Sequence, residues 1–175
     1  MTLDAETDRD FDLFFSKEAR KLSRTHWTPV AVAAQAALFL TAGKAGARIL
    51  DVGAGVGKFC FIGAARTSGH FCGVERHPAL VDEAKGLARA HNAARVKFLA
   101  GDVLATDWRA FDGLYLCNPY GEDLVYLAGG ERAPAEIADF PRAGKRMVRV
   151  GVNVSIYQLE AAIPFPGLPP LTVQP

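Results

Sequence analysis

Between Arg48 and Cys117 the chain alternates short apolar runs with amphipathic segments, and this alternation narrows the fold more than any other feature of the sequence. Arg48–Val52, His70–Glu75 and residues 95–99 and 111–117 read as strands. A glycine turn and helix through Thr67 follow the first, and a helix over 78–91 follows the second. Apolar strands separated by helices predict a parallel sheet, because a parallel pair needs a crossover long enough to hold a helix. The expected fold class is α/β: a doubly wound, mostly parallel twisted sheet with helices on both faces. At 175 residues, the chain has the length of one such domain.

Either side of this core the pattern changes. Residues 8–24 read as a helix, with Phe11, Phe14, Phe15 and Leu22 on the buried side and a basic stripe of Lys17, Arg20, Lys21 and Arg24. Thr28-Pro29 opens a second helix to about Ala42, with threonine as the cap and proline at the first helical position. Beyond Asn118 short helices are expected near 121–128 and 133–140, then strands over 145–152 and 156–163. Five prolines (164, 166, 169, 170 and 175) make the end irregular and shorten the C-terminal part. The organisation expected within one domain is residues 1–45 as N-terminal helices over a ligand site, 46–152 as the core, and 153–175 as a proline-rich tail with the last strands.

Composition excludes several classes. Twenty Lys and Arg against nineteen Asp and Glu give a net charge of +1, without the basic excess of a nucleic-acid-binding domain. Cys60, Cys72 and Cys117 are odd in number and far apart, which argues for reduced, buried thiols rather than disulfides or zinc. The four histidines have no metal-binding spacing, so no metal is expected. The acidic, polar N-terminus and the shortness of the apolar run 30–40 point to no membrane association and a cytoplasmic protein.

The richest segment is Asp51-Val52-Gly53-Ala54-Gly55-Val56-Gly57-Lys58. A P-loop would need glycine at 52 and a hydroxyl at 59, where Val52 and Phe59 stand. A dinucleotide fingerprint would need its third glycine at 58, where Lys58 stands, and Asp51 would repel a pyrophosphate. An acid at the strand end followed by G-x-G-x-G suits a positively charged ligand instead.

This segment resembles the first motif of class I S-adenosylmethionine-dependent methyltransferases, a resemblance that runs over residues 25–120. It implies S-adenosylmethionine (SAM) as cofactor, held by Asp51 and the turn of Gly53, Gly55 and Gly57. Glu75, at the end of the second strand, is similar to the acid that binds both ribose hydroxyls in that family. Ala100-Gly101-Asp102-Val103 resembles the adenine-binding stretch, with Asp102 on the amino group and the Val103 backbone on a ring nitrogen. Asn118-Pro119-Tyr120 resembles a shortened [DNS]-P-P-[YF] motif of enzymes that methylate planar nitrogens, one proline short. The resemblance implies that the Asn118 side chain and Pro119 carbonyl hold the target nitrogen while Tyr120 packs beside it. The resemblance also implies that Asn118 contributes to the cofactor site and that Thr28 or His26 touches the cofactor's carboxylate. Taken singly, Asp51 and Thr28 suit helix caps, Glu75 a solvated strand end, Asp102 a turn, and residues 118–121 a tight turn. Their order at successive strand ends favours the joint reading.

The expected function is methyl transfer from SAM to nitrogen, with a protein side chain favoured over nucleic acid or a small molecule, and with room for a partner chain to complete the shortened end. The rival is a SAM-binding sensor or scaffold without catalysis. An NAD-linked oxidoreductase is a third reading, opposed by Lys58 and Asp51.

Overall fold

Isoleucine, leucine, valine and phenylalanine recur along the strands of this chain, and the first strand passes through a glycine turn into a helix. In the computed structural model, residues 5–21, 27–102, 105–117 and 145–150 are described. Their helices are α1 (Asp8–Asp12), α2 (Lys17–Arg20), α3 (Val30–Thr41), α4 (Lys58–Arg66) and α5 (Pro78–Ala90). Their strands are β1 (Arg48–Val52), β2 (His70–Glu75), β3 (Val96–Ala100), β4 (Gly113–Cys117) and β5 (Arg146–Val150). The sheet order is β3-β2-β1-β4-β5, with every pair parallel. The strand order reverses at β1, which lies between β2 and β4, and open parallel sheets bind ligands beyond the strand ends at such a point.

Register assigns the faces. Asp51 is paired with Gly73 and Tyr115, Gly73 with Phe98, and Tyr115 with Val148. These positions share one face, on which α1, α3, α4 and α5 build the larger core with Phe11, Ala33, Ala36, Phe61, Val81 and Ala84. The other face carries Leu50, Val52, Val74, Leu114 and Leu116 beneath Trp108 and Phe111. The 3-10 turn Trp108–Ala110 caps that face. The helices and last strands expected over 121–140 and beyond 150 lie outside the described residues.

The N-terminal segment departs from the expected continuous helix. Ser16 accepts a hydrogen bond from the Ala19 backbone N–H and begins α2 afresh, so residues 8–20 form two short helices. Serine does this because its hydroxyl competes for backbone donors. Phe11, fully buried, and Phe15 still point into the core as the spacing requires. Burying one such ring contributes about 2–3 kcal/mol. Lys17, Arg20 and Lys21 stay at or near the surface, and Leu22 and Arg24 lie outside the described residues.

Thr28 is not the cap of α3. The helix starts at Val30 after Pro29, and the Val30 N–H donates to Asp8 Oδ1 at 2.8 Å. The free N–H groups at a helix start donate to any well-placed oxygen, and here an acid from α1 supplies it. Two arginines close other helix ends. The Arg95 guanidinium donates to the carbonyls of Ala64 and Thr67 at the end of α4, and Arg146 donates to Phe39 and Ala42 at the end of α3. Cations there meet the negative end of the helix dipole. Among the described residues no helix is long and apolar enough to cross a membrane.

Candidate functional site

The site grows from the carboxyl ends of β1 and β2. Gly53, Gly55 and Gly57 all have positive φ, at 74°, 55° and 82°. This conformation favours glycine, and it lets the chain turn from β1 into α4 within a few residues. Gly57 has a second constraint: a Cβ there would lie 2.3 Å from the ring of Phe98. The turn is pinned to the sheet, because the N–H groups of Gly53 and Ala54 both donate to the Val74 carbonyl at 3.0 Å.

Glu75 holds the turn from the other side. Its Oε2 accepts from the Gly55 N–H and its Oε1 from the His77 N–H, both at 2.9 Å. The carboxylate, 9% exposed, thus fastens the glycine turn to the loop after β2. Each carboxylate oxygen has a second lone pair, which leaves the capacity to accept from a diol. The loop after β3 joins the same end, since the Gly101 N–H donates to the Glu75 carbonyl at 3.0 Å. Asp102 is exposed there, and its carbonyl accepts from the Ala105 N–H at 3.1 Å.

Asp51 sits deeper, 3% exposed on β1. The Cys60 thiol on α4 donates to its Oδ2 at 3.5 Å. Burial pushes the Asp51 carboxyl up to about 7, the Cys60 hydrogen bond lowers it, and the neighbouring Glu75 charge raises it. Cys60 itself is held well above the ordinary thiol range, first by burial and then by the Asp51 charge. The cysteines are all free: Cys60 is buried, while Cys72 and Cys117 are only partly so, against the expectation of buried thiols throughout.

Thr28 lies beneath the site rather than at a helix start. Its hydroxyl is 2.8 Å from the Tyr115 hydroxyl in a buried pair, and Tyr115 stacks on Phe59 with ring centres 3.8 Å apart. Sequence reasoning missed this pairing, because the partners are 87 residues apart.

It also missed Lys58, whose role is structural. The side chain is 4% exposed, and its Nζ lies 2.6 Å from Asp8 and 3.5 Å from Asp12. The rings of Phe11 and Trp27 flank the ammonium at 5.4 and 5.7 Å. A phosphate-binding turn would aim this lysine at its ligand, whereas here it binds the N-terminal helix. The turn therefore offers two carboxylates and backbone N–H groups, which suits a cationic nucleoside better than a pyrophosphate. The structure thus brings together Asp51, Gly53, Gly55, Gly57 and Glu75, with Thr28 below and Asp102 on the adjoining loop. His26, Val103, Asn118, Pro119 and Tyr120 lie outside the described residues.

A family profile described as a methyltransferase domain matches residues 43–125. A comparison with curated protein sequences finds no match. Among solved structures, an RNA methyltransferase from Salinibacter ruber, in complex with S-adenosyl-L-homocysteine, is similar with a TM-score of 0.55 and 18% identity, over 81% of this chain and 88% of that one. The [4+2]-cyclase SpnF shares 24% identity with a TM-score of 0.45, over 50% of this chain. The YcgJ protein from Bacillus subtilis shares 21% with a TM-score of 0.42, over 47%. The chain spans about a third of the length of these last two, 33% and 36%. The sheet order, the glycine turn between two acidic strand ends and the matched segment agree: residues 43–125 are similar to a methyltransferase domain, and the chain has the fold of the class I SAM-dependent methyltransferases.

Proposed function

We propose that this protein transfers a methyl group from SAM to a nitrogen atom, with a protein side chain as the acceptor. The observation that carries the SAM reading is the pair Asp51 and Glu75, at the carboxyl ends of adjacent strands on either side of the glycine turn, while Lys58 is turned away. When bound, SAM supplies a methyl group on a positively charged sulfur, so the protein's task is alignment and exclusion of water. In this reading Glu75 accepts the ribose hydroxyls with its remaining lone pairs, Asp102 and Val103 take the adenine, and Asp51 faces the positive end. The N-terminal segment, 1–45, covers the site. Asn118 and the Pro119 carbonyl accept hydrogen bonds from the target nitrogen, and Tyr120 packs on its planar group. The near-neutral charge of the chain supports a protein acceptor, because nucleic-acid substrates call for many phosphate contacts.

RNA is the second reading. It is favoured by the Salinibacter ruber structure, named as an RNA methyltransferase, with which this chain shares most of its length. The test is twofold. Calorimetric titration with SAM and S-adenosylhomocysteine should give micromolar binding of both. Incubation with methyl-tritiated SAM and separated protein and RNA fractions should then label protein. Label in RNA alone would replace the acceptor, binding without label in any fraction would favour a non-catalytic sensor, and no binding would end the SAM reading.

A further inference from the structure

Lys58 belongs to two parts of the molecule at once. Its backbone opens α4 directly after Gly57, at the end of the glycine turn, while its ammonium is bound by α1. The rings of Phe11 and Trp27 lie beside that ammonium, and Trp27 meets Phe15 edge-on with ring centres 5.3 Å apart. The next residue, Thr28, bonds Tyr115, which is paired in register with Asp51 near the end of β1. The N-terminal elements are thus fastened on both sides of the turn, at the start of α4 and beside β1. At five and four residues, α1 and α2 are too short to stand alone. They are held by the burial of Phe11, Phe15 and Ala19, by the Ser16–Glu83 hydrogen bond to α5, and by Lys58. Packing does not require a charge at 58, because an apolar side chain of similar length avoids the desolvation cost and such replacements are often neutral. What the charge adds is selection of one arrangement, the one in which the acids of α1 meet the residue after the turn. Asp8 is half-exposed, so water can take the place of the lysine and the tie can open.

We propose that Lys58 is a positioning residue that couples docking of the N-terminal helices to occupancy of the glycine turn. It does not touch the ligand and acts through Asp8 and Asp12. A ligand that fixes the turn fixes the start of α4, and so keeps the ammonium within reach of the two acids. Docked α1, in return, holds the turn in its ligand-binding form. The coupling is reciprocal: the factor by which ligand strengthens docking is the factor by which docking strengthens binding. This inference rests on the SAM reading above for the identity of the ligand, and it names what tunes affinity at that site.

The test joins amide hydrogen exchange over residues 8–20 of the whole chain, with and without saturating S-adenosylhomocysteine, to calorimetric titration with the same ligand. The Phe11 and Phe15 N–H groups, bonded to the Thr7 and Asp12 carbonyls, report whether α1 is docked. In the wild-type protein the ligand should slow exchange there at least about fivefold. Lys58→Met should stay folded, lose most of that slowing, and bind the ligand more weakly by about the same factor. Asp8→Asn combined with Asp12→Asn removes both acids while leaving an oxygen for the Val30 N–H. Adding Lys58→Met to that pair should weaken binding no further, because the lysine acts through those acids alone. Exchange over 8–20 unmoved by ligand in the wild-type protein would overturn the inference, and this comparison decides even where Lys58→Met does not fold. Wild-type affinity in folded Lys58→Met, or additive losses in the combined variant, would overturn it as well, and all three outcomes leave the cofactor assignment standing. Failure of the wild-type protein to bind either SAM or S-adenosylhomocysteine would instead overturn the SAM reading beneath it.

Discussion

Lys58 Nζ and Asp8 Oδ1 are 2.6 Å apart, and this contact ties the first helix of the chain to the first residue after the glycine turn. The same Asp8 oxygen accepts the Val30 N–H at the start of α3. One carboxylate therefore joins α1, α3 and α4. Lys58 is nearly fully buried while Asp8 is half-exposed, so the pair is not isolated from water and its strength is moderate.

Asp8→Ala removes both a helix cap and the nearer counter-ion of Lys58. It should cost about 2 kcal/mol in denaturant unfolding, more than Asp12→Ala, whose contact with Lys58 is 3.5 Å. Equal effects of the two substitutions would show that the cap and the closer ion pair add nothing.

Gly57→Ala should be the most damaging change in the turn. Its φ of 82° disfavours any side chain, and the added carbon would meet the Phe98 ring at 2.3 Å. A loss of roughly 3 kcal/mol is expected from strain and overpacking together. Gly55→Ala has open space and should cost about 1 kcal/mol. In a Phe98→Leu background the Gly57→Ala penalty should shrink, a coupling that a double-mutant cycle measures directly.

Glu75→Gln keeps the shape of the side chain but replaces one accepting oxygen with an amide donor. Either Gly55 or His77 then loses its acceptor. Thermal unfolding should register a loss of about 1–3 kcal/mol. SAM affinity should fall at least about tenfold, which is 1.4 kcal/mol of binding free energy. Unchanged binding in a stably folded variant would remove Glu75 from the cofactor site.

Burial raises Asp51 from its ordinary value of 3.8 to about 7, so between those limits the folded protein keeps a proton that the unfolded chain gives up. The contribution of this group to stability is complete below pH 3.8 and is lost as pH rises to about 7. At about 1.4 kcal/mol per unit, the loss is at most about 4 kcal/mol. Asp51→Asn cannot ionise, so without ligand it should be more stable relative to the wild type at pH 8 than at pH 4. Chemical denaturation of both proteins across that range measures the difference, and parallel profiles would refute it.

The sequence alone determined the strands and their order along the chain. Arg48–Val52 and His70–Glu75 agree with the sequence reading residue for residue, and the remaining described strands differ by one or two residues at their ends. Runs of branched apolar residues bounded by glycine and proline leave little choice of element, and a glycine turn after an acidic strand end is a local signal. Residues 8–24 were less legible, because Ser16 suits a helix interior and a new cap alike until the packing of Phe11 and Phe15 chooses. Thr28 was read as a local cap and became the partner of Tyr115, and Lys58 was read only as the residue standing where a third glycine would be. The tertiary structure decided these contacts, along with the thiol donor to Asp51, since each joins residues distant in sequence or depends on burial. Periodicity is written into neighbouring residues, whereas desolvation and the choice of a charge's partner exist only once the sheet has brought distant segments together.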